Sequence, residues 1–310
     1  MAVIENLVHR IFLAYTGKDA AVPRIAPHRP AGRLVRSPFF GCAMEIAATT
    51  CKACPFDCVY CPHGKTTRLS IDRFDDCVSL DSLRPEIAGL SRKSPAPDFI
   101  VFGGTGDPTL NKSLPALINL AKSLTNIPVA VHTSGGLLWR HDVQHDLQGA
   151  DVVLASFDAA DKATFQTMNR PSALVPFGRF CTGVAEFSRL FKGRFWIHVT
   201  LTTNINSSDD HCGKLAQRLR KIRADKIFLQ SGANRRLQGG APRPSAPDLR
   251  FLAARLGDKA ILADCAPAPA SREHLSPATD ILRGFSVGAQ PVFFGKEEFP
   301  AGSRRSTAAA

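Results

Sequence analysis

The sequence predicts an α/β fold built around a parallel β-sheet, and three observations support this prediction. From about residue 38, short apolar, β-rich segments alternate with segments of helical periodicity. Repeated strand–helix–strand units indicate parallel strands that are joined by helical crossovers. Glycine and polar residues follow the strands, and parallel α/β folds carry their active sites at such carboxyl ends. Six units fit either a doubly wound sheet or an incomplete barrel.

Each element is predicted from its own pattern. Runs rich in β-branched and aromatic residues predict six strands: 39–47, 98–102, 128–132, 151–156, 195–202 and 226–229. Apolar residues at helical spacing, as in Leu114, Leu117, Ile118 and Ala121, predict helices between them: 81–90, 114–124, 139–147, 177–191 and 209–222.

Two extensions flank this central unit, which spans residues 38–238. Residues 1–37 contain one short predicted helix around residues 3–12, and Pro23, Pro27 and Pro30 then favour an extended chain. The C-terminal extension, 239–310, begins with a Gly-Gly-Ala-Pro sequence. It contains a predicted helix at 246–256, a strand-like run at 260–263 and a tail that we expect to be disordered.

The composition is that of a globular protein, and two further features of the sequence lead us to expect a cytoplasmic location. A chain of 310 residues with 44% hydrophobic content can fill an extensive core. It has no run of about 18 uncharged apolar residues, so we expect no membrane span. Glu5 precedes the first apolar stretch, unlike the order of a secretory signal. We expect a monomer.

Four of the nine cysteines lie in one eleven-residue segment, at Cys51, Cys54, Cys58 and Cys61. An odd number of cysteines with one tight group favours metal binding or redox chemistry over a disulfide framework. Two Cys-x-x-Cys pairs can bind zinc, but structural zinc sites place the second pair about a dozen residues further on. The alternative function is a zinc-stabilised, basic nucleic-acid-binding module without catalysis, in which all four cysteines bind the metal.

Cys54-x3-Cys58-x2-Cys61, with Tyr60 before the last cysteine, closely resembles the signature of the radical S-adenosylmethionine superfamily. The resemblance implies a [4Fe–4S] cluster on these three thiolates, with its fourth iron open to S-adenosyl-L-methionine. It also implies reductive cleavage of that cofactor to a 5′-deoxyadenosyl radical, which abstracts hydrogen from a substrate. A fourth thiolate would close the open iron, so Cys51 is expected to be a small buried side chain.

Further blocks resemble one subgroup of this superfamily, the small Fe–S oxidoreductases related to 4-demethylwyosine synthases, which act on tRNA. The blocks lie at residues 106–110, 128–133, 151–159 and 168–171. The resemblance implies an incomplete (β/α)6 TIM-type barrel. The Gly64-Lys65-Thr66 sequence matches the last three residues of a phosphate-binding loop. That loop also requires a glycine five residues before Gly64, and Val59 occupies this position.

The resemblance places the cofactor contacts at the ends of strands. The turn that resembles the family's Gly-Gly-Glu segment comprises Gly104, Thr105, Gly106 and Asp107, with Asp107 in place of glutamate. By position, Thr133 and Ser134 correspond to contacts with the methionyl end, and Tyr60 lies against the cofactor. The candidates for its carboxylate and ribose are Ser156, Asp158, Asn169 and Arg170. The alternative for Asp158 is a helix N-cap, and for Arg170 a surface ion pair.

The net charge of +12 favours a polyanionic partner, with simple solubility as the alternative. Basic residues recur on one helix face, at Lys214, Arg218 and Lys221, with Arg220 and Arg223 beside them. Others follow the last predicted barrel strand, at Arg235, Arg236 and Arg243. They form either a solvated face or a path for an RNA substrate. An external electron donor such as flavodoxin or ferredoxin is also expected.

Overall fold

A computed structural model describes residues 32–75, 80–93, 96–232 and 246–263 of the chain. The strands are β1 Gly32–Ser37, β2 Gly41–Ala47, β3 Ala53–Cys54, β4 Arg68–Leu69, β5 Phe99–Gly103, β6 Val129–Thr133, β7 Val152–Ser156, β8 Arg194–Leu201, β9 Lys226–Ser231 and β10 Ala260–Leu262. The helices are α1 Leu80–Leu90, α2 Leu114–Leu124, α3 His141–Asp146, α4 Lys162–Met168, α5 Phe177–Leu190, α6 Asp209–Leu219 and α7 Ala246–Leu256.

Several sequence predictions lie outside the described residues. These are the helix at 3–12, the C-terminal tail, Cys77, Cys265, Arg235, Arg236 and Arg243. Within the described ranges, no helix is both long enough and apolar enough to span a bilayer.

Eight strands form one curled sheet in the order β1-β2-β5-β6-β7-β8-β9-β10. The β1–β2 pair is antiparallel, and the strands from β2 to β10 are parallel to their neighbours. Each crossover carries the chain to the next position in the sheet, so the order of strands follows the order of the sequence. The predicted incomplete barrel is confirmed.

Two strands of this sheet lie outside the predicted central unit of 38–238. β10 extends the sheet beside β9, and β1 pairs with β2 from Gly32↔Ile46 to Ser37↔Gly41. The sequence pattern does not predict β1, because this strand contains the charged residues Arg33 and Arg36. β1 lies at the edge of the sheet, and an edge strand tolerates exposed charges that a central strand does not.

Neighbouring residues of each strand face different environments. In β8, Phe195 and Ile197 pack into the core beneath the helices, whereas Trp196 and His198 point to the barrel interior. Burial of both faces explains why these strands are continuous apolar runs in the sequence.

The turn between β1 and β2 closes the amino-terminal end of the barrel. Its Phe39 ring lies 4.7 Å from the His198 ring and 5.4 Å from Phe228, measured between centroids. Phe40 stacks on Trp196 at 5.6 Å. The sequence predicts these two phenylalanines as strand residues, but the Ser37 hydroxyl accepts hydrogen bonds from both of their backbone N–H groups and forms a turn. The barrel interior is therefore blocked by aromatic rings at this end.

Candidate functional site

The cysteine segment follows β2 at the carboxyl rim of the sheet and is held from two sides. On one side, β3 pairs with β4 in a separate two-stranded sheet. On the other, Asp57 N donates to Asn169 O at 3.0 Å and Val59 N donates to Met168 O at 2.9 Å. The predicted block at 168–171 is thus joined to the cysteine loop by backbone hydrogen bonds.

The four cysteines of this segment fall into two groups. Cys51 is buried in the hydrophobic core, as predicted for a cysteine that binds no metal. The other three cysteines are half-buried, and each sulfur accepts a hydrogen bond from an N–H group. The donors are Phe56 N to Cys54 at 3.4 Å, Asn169 Nδ2 to Cys58 at 3.5 Å and Lys52 Nζ to Cys61 at 2.8 Å. Such N–H groups are the usual neighbours of metal-bound thiolates.

The electrostatics of these sulfurs favour a cationic ligand. Burial, followed by the charge of Asp107, raises the pKa of Cys54 well above its ordinary value. Burial and Asp158 raise the pKa of Cys58 to about 12. The thiolate form therefore requires a positive centre in place of the proton, which a cluster of iron ions supplies. This donor set fits the cluster implied by the cysteine spacing.

Cys58 and Cys61 both contribute to the raised pKa of Cys54, so the three sulfurs interact with one another. In the described part of the chain, however, no group of three His, Cys, Asp or Glu side chains is arranged to hold a metal ion. The assignment of Cys54, Cys58 and Cys61 as ligands therefore stays a prediction.

The glycine turn after β5 lies directly against the cysteine segment. Asp107 N donates to Ala53 O at 2.8 Å. A Cβ atom on Gly106 would lie 2.7 Å from that oxygen and 2.9 Å from Cys51 O, so only glycine permits this approach. Gly104 has a φ of +88°, which also favours glycine, and Gly104 and Thr105 are half-buried beside it.

The Asp107 carboxylate is fully occupied by neighbouring donors. It accepts hydrogen bonds from Thr109 N at 3.0 Å, Thr133 Oγ1 at 2.9 Å and Ser134 N at 2.9 Å, and also from the Ser134 hydroxyl. The structure thus brings three predicted cofactor contacts together, but their side chains bond to each other. Asp107 ties the end of β6 to the loop after β5.

Asp158 is the centre of a second buried network. Its Oδ2 accepts from Tyr60 OH at 2.6 Å and from Asn169 Nδ2 at 2.8 Å, and its Oδ1 accepts from Thr200 N at 2.7 Å. Burial raises the pKa of Asp158, whereas these hydrogen bonds oppose the shift. The N-cap of α4 is Asp161, so Asp158 does not cap this helix.

The other two predicted contacts lie beside this network. Ser156 ends β7 and is half-buried. Arg170 is exposed and has a φ of +46°, which is unusual for a residue other than glycine. Its carbonyl oxygen accepts a hydrogen bond from Asp57 N at 3.2 Å, so Arg170 contacts the cysteine loop through its backbone.

Two buried oxygens near the Asp158 network lack a hydrogen-bond partner among the described residues, Asn169 Oδ1 and Thr202 Oγ1. Thr202 follows β8, and its hydroxyl would lie 3.5 Å from a Cβ on Gly232, which itself adjoins Tyr60. Buried polar atoms are normally satisfied, so both oxygens are suited to a bound ligand. Sequence reasoning missed Thr202; its position directly after a strand was the available signal.

Two of the three basic residues on the predicted helix face have partners within the chain. Lys214 pairs with Asp210 at 2.6 Å. Arg218 donates to the Ala160 carbonyl and lies 4.9 Å from the centre of the Phe177 ring. The path for RNA stays a hypothesis.

No protein-family model matches the chain. A protein of Brachyspira hyodysenteriae named GTPase Obg is 32% identical over 197 residues, which cover 63% of this chain and 28% of that protein. A UPF0026 protein of Methanocaldococcus jannaschii is 27% identical over 194 residues, or 62% of this chain and 60% of the relative. A UPF0026 protein of Helicobacter pylori J99 is 27% identical over 200 residues, with 64% of each chain covered. The chain thus spans less than two thirds of the length of each of these relatives.

Two solved structures share the architecture. TYW1 with a lysine-pyruvate adduct bound has a TM-score of 0.51 at 15% identity, over 69% of this chain and 72% of that chain. A radical SAM methyltransferase from Sphaerobacter thermophilus has a TM-score of 0.53 at 17% identity, over 71% and 66% of the two chains. The chain has the fold of the radical SAM enzymes. The resemblance inferred from the cysteine spacing is confirmed at the level of this radical SAM fold.

Proposed function

We propose that the protein is a radical S-adenosylmethionine enzyme whose [4Fe–4S] cluster is held by Cys54, Cys58 and Cys61. One observation carries the proposal. On a radical SAM fold, these three sulfurs are half-buried and each accepts an N–H hydrogen bond, whereas Cys51 is packed into the core. Three ligands leave one iron open, as catalytic metal sites do.

The cofactor pair, when bound, supplies reductive cleavage of the sulfonium and thus the 5′-deoxyadenosyl radical. The backbone of Gly104, Thr105 and Gly106 lies beside the cysteine loop and is suited to accept hydrogen bonds from the methionyl ammonium. Asn169 Oδ1 and Thr202 Oγ1 are the buried acceptors that we assign to cofactor hydroxyls.

Tyr60 holds its part of the site in a fixed geometry. Burial and the Asp158 charge raise the pKa of Tyr60 well above its ordinary value, so the phenol keeps its proton and donates to Asp158. The aromatic ring is thereby positioned next to the cysteine ligands, where it excludes water from the reacting cofactor.

The substrate is proposed to enter from the carboxyl rim, because Phe39 and Phe40 close the opposite end of the barrel. RNA is the substrate class that the subgroup resemblance and the net charge of +12 favour. A one-electron donor such as flavodoxin or ferredoxin would supply the electron, and we propose a cytoplasmic monomer.

The test is anaerobic reconstitution with iron and sulfide, followed by measurement of iron content and of 5′-deoxyadenosine formed from S-adenosylmethionine and dithionite. The wild-type protein should be brown and should form 5′-deoxyadenosine. Cys58→Ala should lose both properties, and Cys51→Ala should keep the cluster. A colourless protein that binds zinc through all four cysteines, and loses it in Cys51→Ala, would refute the proposal.

A further inference from the structure

Lys52 is a buried lysine near the start of the cysteine segment, directly after Cys51. The residue is 8% exposed, and its ammonium donates to the Cys61 sulfur at 2.8 Å. Among the described residues, this sulfur is the side-chain partner found for the ammonium, and no carboxylate pairs with it. The position of Lys52 is fixed, since its carbonyl oxygen accepts hydrogen bonds from Thr67 N at 3.1 Å and Arg68 N at 3.2 Å.

A buried ammonium requires a nearby anion, because moving an unpaired charge out of water is costly. A neutral thiol does not meet this requirement. Three thiolates on an oxidised [4Fe–4S] core leave one net negative charge, and one-electron reduction adds a second. The charge of Lys52 is therefore opposite in sign to the charge that a bound cluster would bring to this pocket, and it attracts the reduced cluster more strongly than the oxidised one.

We propose that Lys52 balances the charge of the cluster through its hydrogen bond to the Cys61 sulfur and thereby raises the reduction potential of the cluster. This inference rests on the proposed function. Lys52 acts through a cluster ligand, so it is a positioning residue and touches neither substrate nor S-adenosylmethionine. Hydrogen bonds and charges next to cluster sulfurs are established determinants of reduction potential.

The test is a dithionite redox titration of the reconstituted protein, monitored by electron paramagnetic resonance of the reduced cluster. Lys52→Gln should lower the equilibrium constant for one-electron reduction by about tenfold, which is a shift of about 59 mV to more negative potential. Lys52→Met keeps the apolar stem without the charge and should give the same shift. Lys52→Arg keeps the charge and should restore most of the potential.

Lys65→Gln is the matched control, because this lysine is exposed and lies four residues after Cys61. It removes the same charge from the same loop, and its potential should equal that of the wild type. Thermal unfolding of each variant before reconstitution reports whether the fold is intact.

The outcomes separate this inference from the proposed function. A wild-type protein that assembles no [4Fe–4S] cluster overturns both. A wild-type protein with a cluster, together with neutral variants of unchanged potential, overturns the role of Lys52 alone. Equal shifts in Lys52→Gln and Lys65→Gln also overturn it, because the effect would then be one of net charge.

Discussion

Gly106 shows how a single residue determines the geometry of the site. Its missing side chain lets the turn after β5 approach the carbonyl oxygens of Ala53 and Cys51. The same turn carries Asp107, whose carboxylate fixes Thr133 and Ser134. The packing of one glycine therefore sets the distance between the cysteine loop and two strand ends.

Gly106→Ala should destabilise the protein by about 1–3 kcal/mol, because the new methyl group would overlap two backbone oxygens that cannot move independently. It should also reduce the iron retained after reconstitution. Denaturant unfolding and iron analysis measure the two effects.

The control for this substitution is Gly213→Ala in α6, where a Cβ atom would meet nothing within 4 Å among the described residues. This variant should be more stable by about 0.5–1 kcal/mol, because alanine is the better helix former. Equal effects of the two substitutions would contradict the steric explanation.

At the scale of elements, Arg73 connects the chain after the cysteine loop to two neighbouring elements. Its guanidinium pairs with Asp146 and, at 3.0 Å, with Asp142 of α3. Its Nε donates to Thr109 O at 3.0 Å. The side chains of Arg73 and Asp146 are 7% and 16% exposed, so their pair is largely shielded from solvent, whereas Asp142 is 46% exposed. Arg140, and then Arg73, hold the pKa of Asp142 well below its ordinary value.

Arg73→Met should cost about 2–3 kcal/mol in the free energy of unfolding, because it leaves the largely buried Asp146 without its arginine and removes the hydrogen bonds to Thr109 O and Asn111 O. Asp142 keeps its pair with Arg140. Urea denaturation at pH 7 measures this loss. The control is Lys112→Met, which removes an ion pair to Asp75 between side chains that are 51% and 72% exposed. Exposed pairs contribute about 0–1 kcal/mol, so a loss there as large as that of Arg73→Met would contradict the importance of burial.

Some elements were predictable from the sequence and others were not. The β/α alternation, the cysteine loop and the strand-end residues are visible because each depends on local pattern and spacing. The pairing of Lys52 with Cys61, the unsatisfied oxygen of Thr202 and the interior position of Phe39 depend on the folded chain. Helix α4 was missed because Lys162–Met168 is short and begins at a cap, Asp161, that the sequence offered no reason to prefer over Asp158.

At the scale of the whole molecule, the barrel interior holds the buried His198 and the half-buried His132, close to the Phe39 ring. Burial, with a smaller effect from His132, lowers the pKa of His198 to about 3. Burial also lowers the pKa of His132, although Glu45 and Asp107 oppose the shift. Gln230 Oε1, 3.0 Å from His198, opposes this shift, but burial beside the Phe39 ring outweighs it, so the pocket favours the neutral imidazole.

This environment predicts how stability depends on pH. The unfolded chain binds a proton at His198 below about pH 6.5, whereas the folded chain does not until about pH 3. The contribution of neutral His198 to the free energy of unfolding is therefore fully present above about pH 6.5 and is lost as the pH falls from about 6.5 towards 3. Between pH 7 and pH 5 the loss from this residue should be about 1–2 kcal/mol.

His198→Gln should flatten this dependence in unfolding experiments at a series of pH values. His145→Gln is the control, because it makes the same substitution at a side chain that is 90% exposed. An unchanged slope in His198→Gln would show that other groups cause the acid sensitivity.

The agreement between sheet order and chain order has a consequence for biosynthesis. The cysteine loop is made early, but Asp158 and Asn169, which enclose it, follow Tyr60 and Cys58 by 98 and 111 residues. At ordinary rates of translation this interval lasts on the order of 5–20 s. During that time Cys54, Cys58 and Cys61 of the nascent chain lack the residues that later pack beside them. Metal delivery during synthesis would meet a loop without these neighbours, whereas delivery after release from the ribosome would meet a loop that they already hold in place.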